Sequence, residues 1–283
     1  MWCEMFLGYN TNGLPHHRLE DALTLIAEAG FRGVALTLDH QHLDPTERSA
    51  CLREARRIRH LLDRHDLRVT VETGARFILD PRRKHQPTLV SAQEAGRARR
   101  REFLETCVLA AAELGAETVS LWSGAADDGA GEDEAFMRLT NELHRLLDFA
   151  EKAGRRLAFE PEPGMLVDTM ARYDRLIMTM QHPLLGLTLD VNHVYALRDG
   201  SVREHVERWR GLLWNVHLSD ARWGTHEHLP PGDGEVDFVN IRRSLEAIRY
   251  LGPVHLELSR HGHDAARVMG NAHAFLLARG YPA

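Results

Sequence analysis

The segment Gly186–His193 reads GLTLDVNH, a short apolar run with a β-branched residue, closed by an acid and followed by a polar turn. Three other segments repeat the form: LAFEPEPG at Leu157–Gly164, NVHLSD at Asn215–Asp220 and VHLELSRH at Val254–His261. Each has a carboxylate or an imidazole where the apolar run finishes. Each is separated from the next by a longer stretch with apolar residues at helical spacing. Short buried runs alternating with amphipathic segments are the pattern of βα units and a parallel sheet.

The alternation extends outward through the chain. Strands are expected at Met5–Gly8, Gly33–Asp39, Arg68–Thr73, Thr118–Ser123, Leu157–Glu162, Gly186–Val191, Trp214–Ser219 and Val254–Leu258. Helices are expected at Leu19–Ala29, Thr46–Asp63, Ala95–Leu114, Glu134–Ala153, Thr169–Met180, Ser201–Trp209, Val239–Tyr250 and Ala265–Ala278. Several joins repeat a glycine between helix and strand, as in AGFRGVAL, LGAETVSL and AGRRLAF, where a residue without Cβ ends the helix at low cost. Eight such units in 283 residues suit one α/β domain spanning 1–283, a (β/α)8 TIM barrel with its site at the C-terminal strand ends. An open doubly wound sheet is the rival fold, but no GxGxxG follows the first strand.

With 43% hydrophobic and 27% charged residues the composition is that of an ordinary globular domain. The net charge of −6 lacks the basic excess of a nucleic-acid binder. Arg97, Arg99, Arg100 and Arg101 form the densest basic run, read as a solvated helix face ahead of a phosphate-binding patch. Cys3, Cys51 and Cys107 are odd in number without CxxC spacing, which suits small thiols in a reducing compartment. No apolar run approaches the ~20 residues of a membrane span. The start, MWCEMFLGYN, has neither a basic opening nor a cleavage site, so a cytoplasmic location is expected. Long loops are expected at Gly74–Glu94, Gly124–Asp133 and Asp220–Asp237; the acidic, Gly-rich middle one reads as a mobile surface loop.

In a parallel barrel the chemistry sits at the carboxyl ends of the strands. Strands five to eight finish in Glu160, Asp190, His217 and Glu257. A lone buried acid or histidine is more often a paired structural group. Four at successive strand ends are costly to bury unless a cation compensates them. Three carboxylates and an imidazole suit one divalent ion, Mn²⁺ ahead of Mg²⁺, Co²⁺ or Zn²⁺ because oxygen donors dominate.

On these residues the chain resembles the xylose-isomerase-like barrels, which include sugar phosphate isomerases and epimerases and the apurinic endonucleases called endonuclease IV. The likeness covers most of the chain and is most specific from Leu157 to His263. Tagatose-epimerase-type members carry a Glu-Asp-His-Glu metal set matching Glu160, Asp190, His217 and Glu257. Their substrate-contacting D-x-x-H histidine matches His193, their PPGxG turn matches Pro230–Gly234, and an arginine after the strand-seven histidine matches Arg222, offset by one position. Endonuclease IV-like members add D-x-H, which places His226 and His228; with His193 this pair implies a second, Zn²⁺-type site. The other reading of the pair is a polar substrate loop. Strands three and four carry Glu72 and Trp122 where those nucleases have histidines, which counts against a trinuclear cluster and DNA repair.

Further candidates for substrate contact are His40, with neighbouring His42, after strand two, and Arg260, with His261, after strand eight. Trp122 reads as a wall for a sugar face or as core, Glu162 as a support to Glu160 or a substrate contact, and Glu72 as a further substrate contact. The expected enzyme is a metal-dependent isomerase or epimerase of a sugar, sugar derivative or cyclitol ketone. Two glutamates would move a proton through an enediolate that the cation stabilises. The alternatives are a two-metal hydrolase or lyase, including keto-glycoside cleavage, and a carrier without turnover. The expected partner is a small carbohydrate or cyclitol, with no membrane, nucleic acid unlikely on the charge balance, and a homo-oligomer compatible with the resemblance.

Overall fold

The computed structural model describes residues 4–282, so Cys3 lies outside it. The strands are β1 (Phe6–Asn10), β2 (Gly33–Thr37), β3 (Arg68–Glu72), β4 (Thr118–Leu121), β5 (Arg156–Phe159), β6 (Leu185–Asp190), β7 (Leu213–Leu218) and β8 (Pro253–Leu256). They form a closed barrel in sequence order. The α-helices are α1 (Leu19–Glu28), α2 (Arg48–Arg64), α3 (Glu94–Leu114), α4 (Glu132–Lys152), α5 (Met170–Met180), α6 (Val191–Leu197), α7 (Val202–Arg208), α8 (Phe238–Ala247) and α9 (Ala265–Leu277).

The differences from expectation have local causes. β1 starts and ends later than Met5–Gly8. β5 stops at Phe159 instead of reaching Glu162, since Pro161 and Pro163 have no N–H for a ladder. The stretch after Asp190 is helical, not extended: the aspartate caps α6 by accepting from the amides of Asn192 and His193. No described helix is long and apolar enough to cross a membrane.

The chain resolves into two compact units. One comprises residues up to Leu36, His60–Val69 and everything from Leu187; the other comprises Thr37–Arg59 and Thr70–Gly186. In the first, β8 pairs in parallel with β1 and β7, and β7 with β6. Asp190 lies level with His217, and His217 with His255. Because side chains alternate along a strand, Thr188 and Asp190, Asn215 and His217, and His255 and Glu257 are pairs projecting to a common side. Leu7, Leu218, Val254 and Leu256 fill the apolar remainder at full burial.

In the second unit β4 pairs with β5 along Thr118–Leu121. Gly115 ends α3 at φ 78°, a left-handed conformation that favours glycine. The four-arginine run on α3 is no solvated face. Arg97 caps the Ser91 and Ala92 carbonyls, Arg100 is buried, Arg101 pairs with buried Glu142, and only Arg99 is exposed. The acidic loop is tied down as well: Asp127 accepts the Ala92 amide at 2.9 Å and Asp128 pairs with Arg138 at 2.9 Å. Cys51 and Cys107 are free, buried thiols.

Candidate metal centre

Asp190 enters the site with one oxygen already used. Its Oδ1 accepts from the Asn192 amide at 2.6 Å and the His193 amide at 3.3 Å. Its Oδ2 is buried with no hydrogen-bond partner among the described residues, 3.5 Å from His193 Nε2. His217 is buried on β7, with Nδ1 3.2 Å from Glu257 Oε2 and Nε2 3.1 Å from Asn215 Nδ2. Glu257 is the first residue past β8, its amide bound to the Leu218 carbonyl at 3.1 Å. Asn12 donates to its Oε1 at 2.8 Å. Burial alone would raise the Glu257 pKa, but the His228, His217 and His193 imidazoles outweigh burial and hold the carboxyl well below the usual range. Ligand atoms of Asp190, His217 and Glu257 lie within 4.8 Å of one another.

Beside them is an all-imidazole cluster. His193, His226 and His228 also offer nitrogens within 4.8 Å of one another, with ring centroids 5.1 to 6.1 Å apart. Burial, then the two neighbouring imidazoles, lowers the pKa of His226 to about 4, so the ring is a neutral donor at pH 7. Its Nε2 has no hydrogen-bond partner among the described residues. The loop that carries the pair is fixed at its root. Asn192 Nδ2 donates to the Glu227 carbonyl at 2.9 Å and the Asp220 carbonyl at 3.3 Å. The Asp220 carboxylate gathers the amides of Ala221, Gly232 and Val236. Arg260 donates to the His226 carbonyl at 2.9 Å.

The donor chemistry fits a divalent cation. An unbonded buried carboxylate oxygen, a second ionised carboxylate and a buried imidazole are donors that suit such an ion and that an apolar interior tolerates poorly without one.

The remaining candidates are placed as follows. Glu160 is buried, the first residue past β5, its amide bound to the Leu121 carbonyl at 2.8 Å. That is the station Glu257 holds past β8. Glu162 turns back, its amide bound to the Val167 carbonyl. Glu72 closes β3 and is buried. Trp122 is buried, edge-on to His85 at 5.1 Å, with the Arg100 guanidinium 5.1 Å from its ring centroid. His40 is exposed and engaged by Asp44 at 2.8 Å, whereas His42 is buried against Asp39 at 3.4 Å. Arg222 is exposed and pairs with Glu227 at 2.8 Å.

A profile of the xylose isomerase-like TIM barrels matches residues 23–279. The chain belongs to that family. This xylose isomerase-like barrel is 29% identical over 170 residues to the 3-dehydroshikimate dehydratase of Pseudomonas putida KT2440, covering 56% of this chain and 26% of that protein. It is 25% identical over 278 residues to an inosose dehydratase of Lacticaseibacillus casei, covering 89% and 87%. It spans 26%, 41% and 54% of the length of the first three curated relatives it matches. In fold it resembles an E. coli 3-keto-D-glucoside 4-epimerase, with TM-score 0.79, 18% identity and coverage of 97% of this chain and 100% of that one. It also resembles the IolI protein crystallised with a zinc atom, with TM-score 0.76, 18% identity and coverage of 99% and 100%.

Four residues with roles at this site escaped the sequence reading: Asn12, Asn192, Asn215 and His255. Asn12 follows the first strand and the strand-end rule would have found it. Asn215 and His255 carry a weaker signal, each lying two residues before a ligand candidate and therefore on the same side of its strand.

Proposed function

We propose that this barrel binds one divalent cation through Glu160, Asp190, His217 and Glu257 and moves a proton next to the carbonyl of a sugar, sugar derivative or cyclitol ketone. The observation that carries the reading is the juxtaposition of Asp190, His217 and Glu257, with Asp190 Oδ2 buried and unbonded. Glu160 is assigned as fourth ligand because it repeats the station of Glu257, one residue past its strand with its amide on the preceding strand's last leucine. Oxygen donors prevail in this set, which favours Mn²⁺. A bound cation would polarise a ketone oxygen and acidify the adjacent C–H. Glu257 is suited to take that proton, because neighbouring imidazoles keep it ionised and Asn12 fixes its second oxygen. Glu160 returns a proton to the same carbon in an epimerase or to the next carbon in an isomerase.

A second reading, loss of a β-hydroxyl as water after the same first step, is favoured by the names of the two curated relatives, both dehydratases. His193 and His228 are the groups that would protonate the departing hydroxide. If the three imidazoles instead hold a second, Zn²⁺-type ion, the two-metal hydrolase gains ground, and metal stoichiometry separates the cases.

The test is incubation of the metal-loaded protein in D₂O with a panel of keto-sugars and keto-cyclitols. Deuterium entering the α-carbon supports the reading, and new unsaturation in the product selects dehydration. Turnover of any substrate without α-exchange or elimination would overturn it.

A further inference from the structure

A buried chain of polar groups runs from the metal centre into the barrel and uses residues for which the proposed chemistry has no role. His217 Nε2 faces Asn215 Nδ2 at 3.1 Å, and Asn215 Oδ1 faces His255 Nδ1 at 2.9 Å. Asn215 and His255 are both 0% exposed. The His255 ring packs directly on the Gly8 backbone, where a Cβ would come 2.3 Å from Cδ2 and 2.8 Å from Nε2. Its Nε2 has no hydrogen-bond partner among the described residues.

An amide offers one oxygen that accepts and one nitrogen that donates. Asn215 therefore cannot treat its two imidazoles alike. In the orientation observed, His255 donates from Nδ1 to Oδ1, and Nδ2 donates to His217 Nε2. The proton of a neutral His217 then sits on Nδ1 and points to Glu257. All three bonds run the same way, from His255 towards the carboxylate.

A His217 that ligates a cation through Nδ1 must do the opposite. Nδ1 gives its lone pair to the ion, and the ring proton moves to Nε2, where it needs an acceptor. The amide supplies one only by turning over, which presents Nδ2 to His255. That ring must then accept on Nδ1 and carry its proton on Nε2, in the pocket against Gly8 where nothing receives it. Thr188 Oγ1, 3.4 Å from Asn215 Nδ2, tolerates either orientation because a hydroxyl both donates and accepts.

We propose that Asn215 and His255 are positioning residues that couple cation binding at His217 to reversal of this hydrogen-bond chain. The inference rests on His217 being a ligand, as proposed above. In this reversal each ring moves its proton from Nδ1 to Nε2. Stranding a buried N–H is unfavourable. The chain therefore opposes the ligating tautomer, and cation affinity is lower than the donor set alone would give.

The experiment is ¹⁵N NMR of the histidine-labelled full chain, without metal and after saturation with Zn²⁺, alongside calorimetric titration of Zn²⁺. Without metal, both His217 and His255 should carry the proton on Nδ1; with Zn²⁺, both should carry it on Nε2. In His255→Phe the far ring is gone, so the Zn²⁺-linked change assigned to His255 should vanish from the spectrum while that of His217 remains. Equal Zn²⁺ affinity in wild type and His217→Ala would defeat the ligand assignment and the inference with it. Zn²⁺ binding that shifts His217 while His255 keeps its proton on Nδ1 would leave the ligand assignment standing and overturn the coupling alone. The wild-type spectra decide the matter even if His255→Phe fails to fold.

Discussion

Two regions just past strand ends use polar residues in opposite ways. Past β3 and β4, the polar side chains around the loop of residues 74–94 mostly bind backbone, and His85 Nδ1 is the one buried side-chain atom of that loop without a hydrogen-bond partner among the described residues. Arg100, buried, donates to the carbonyls of His85 and Pro87, and the Thr88 hydroxyl and Gln86 amide donate to the Ala125 carbonyl. Past β6 to β8 the bonds are open: Asp190 Oδ2 and His226 Nε2 are buried without a hydrogen-bond partner among the described residues. The first region spends its polarity on holding backbone. The second leaves lone pairs uncommitted, which a fold tolerates when something else binds them.

That contrast can be broken by substitution. Glu257→Gln should lower α-deuterium exchange about 10³-fold while leaving the fold intact, and an unchanged exchange rate would remove the glutamate from the chemistry. Arg100→Leu should do the reverse. Leaving two carbonyls without their donor should cost about 3 kcal/mol in urea unfolding, with Zn²⁺ affinity unchanged. If affinity falls along with stability, the two regions are not separate in function.

Adding cation at 100 times its Kd should raise unfolding stability by about 2.7 kcal/mol, and chelation should abolish the gain. Asp190→Asn should reduce that increment, and a full increment in this variant would relieve Asp190 of its assignment. The smallest effect concerns His85, whose pKa is lowered to about 4 by burial, then by Lys84, Arg100 and Arg76. The folded state thus prefers the neutral ring. Between pH 6.5 and 4 the unfolded chain takes up a proton that the folded one refuses, so stability falls with acidification and this contribution levels off below about 4. The urea midpoint should decline less over that window in His85→Gln than in wild type. Parallel declines would show that the ring is not responsible.

The barrel was legible because short, almost wholly buried runs alternate with amphipathic segments eight times, several of them joined by a glycine, and repetition outweighs errors at individual ends. Three ligand candidates, Asp190, His217 and Glu257, were legible for the same reason, although Glu257 stands one residue past its strand. His40 follows a strand, which makes it a pocket candidate and a surface histidine in equal measure, and Asp44 four residues on engages it at the exposed rim. The short helix after Asp190 was hidden because VNHVYAL has too few residues to show a helical period, while the capping aspartate was read only as a ligand. Asn215 and His255 were hidden because their importance is relational. Neither residue type nor spacing tells which amide will lie between which two rings.

Asp220 gathers three amides at the foot of the loop that presents His226 and His228, and Asn192 ties the middle of that loop from the helix beside it. The side chains that anchor it thus lie outside Trp223–His228, and inside it they hold only backbone, the carbonyls of His226 and Glu227. For an engineer this makes the segment an exchangeable cassette: its side chains can be randomised to seek new ligands, with Gly224 kept because its backbone sits at φ 83°.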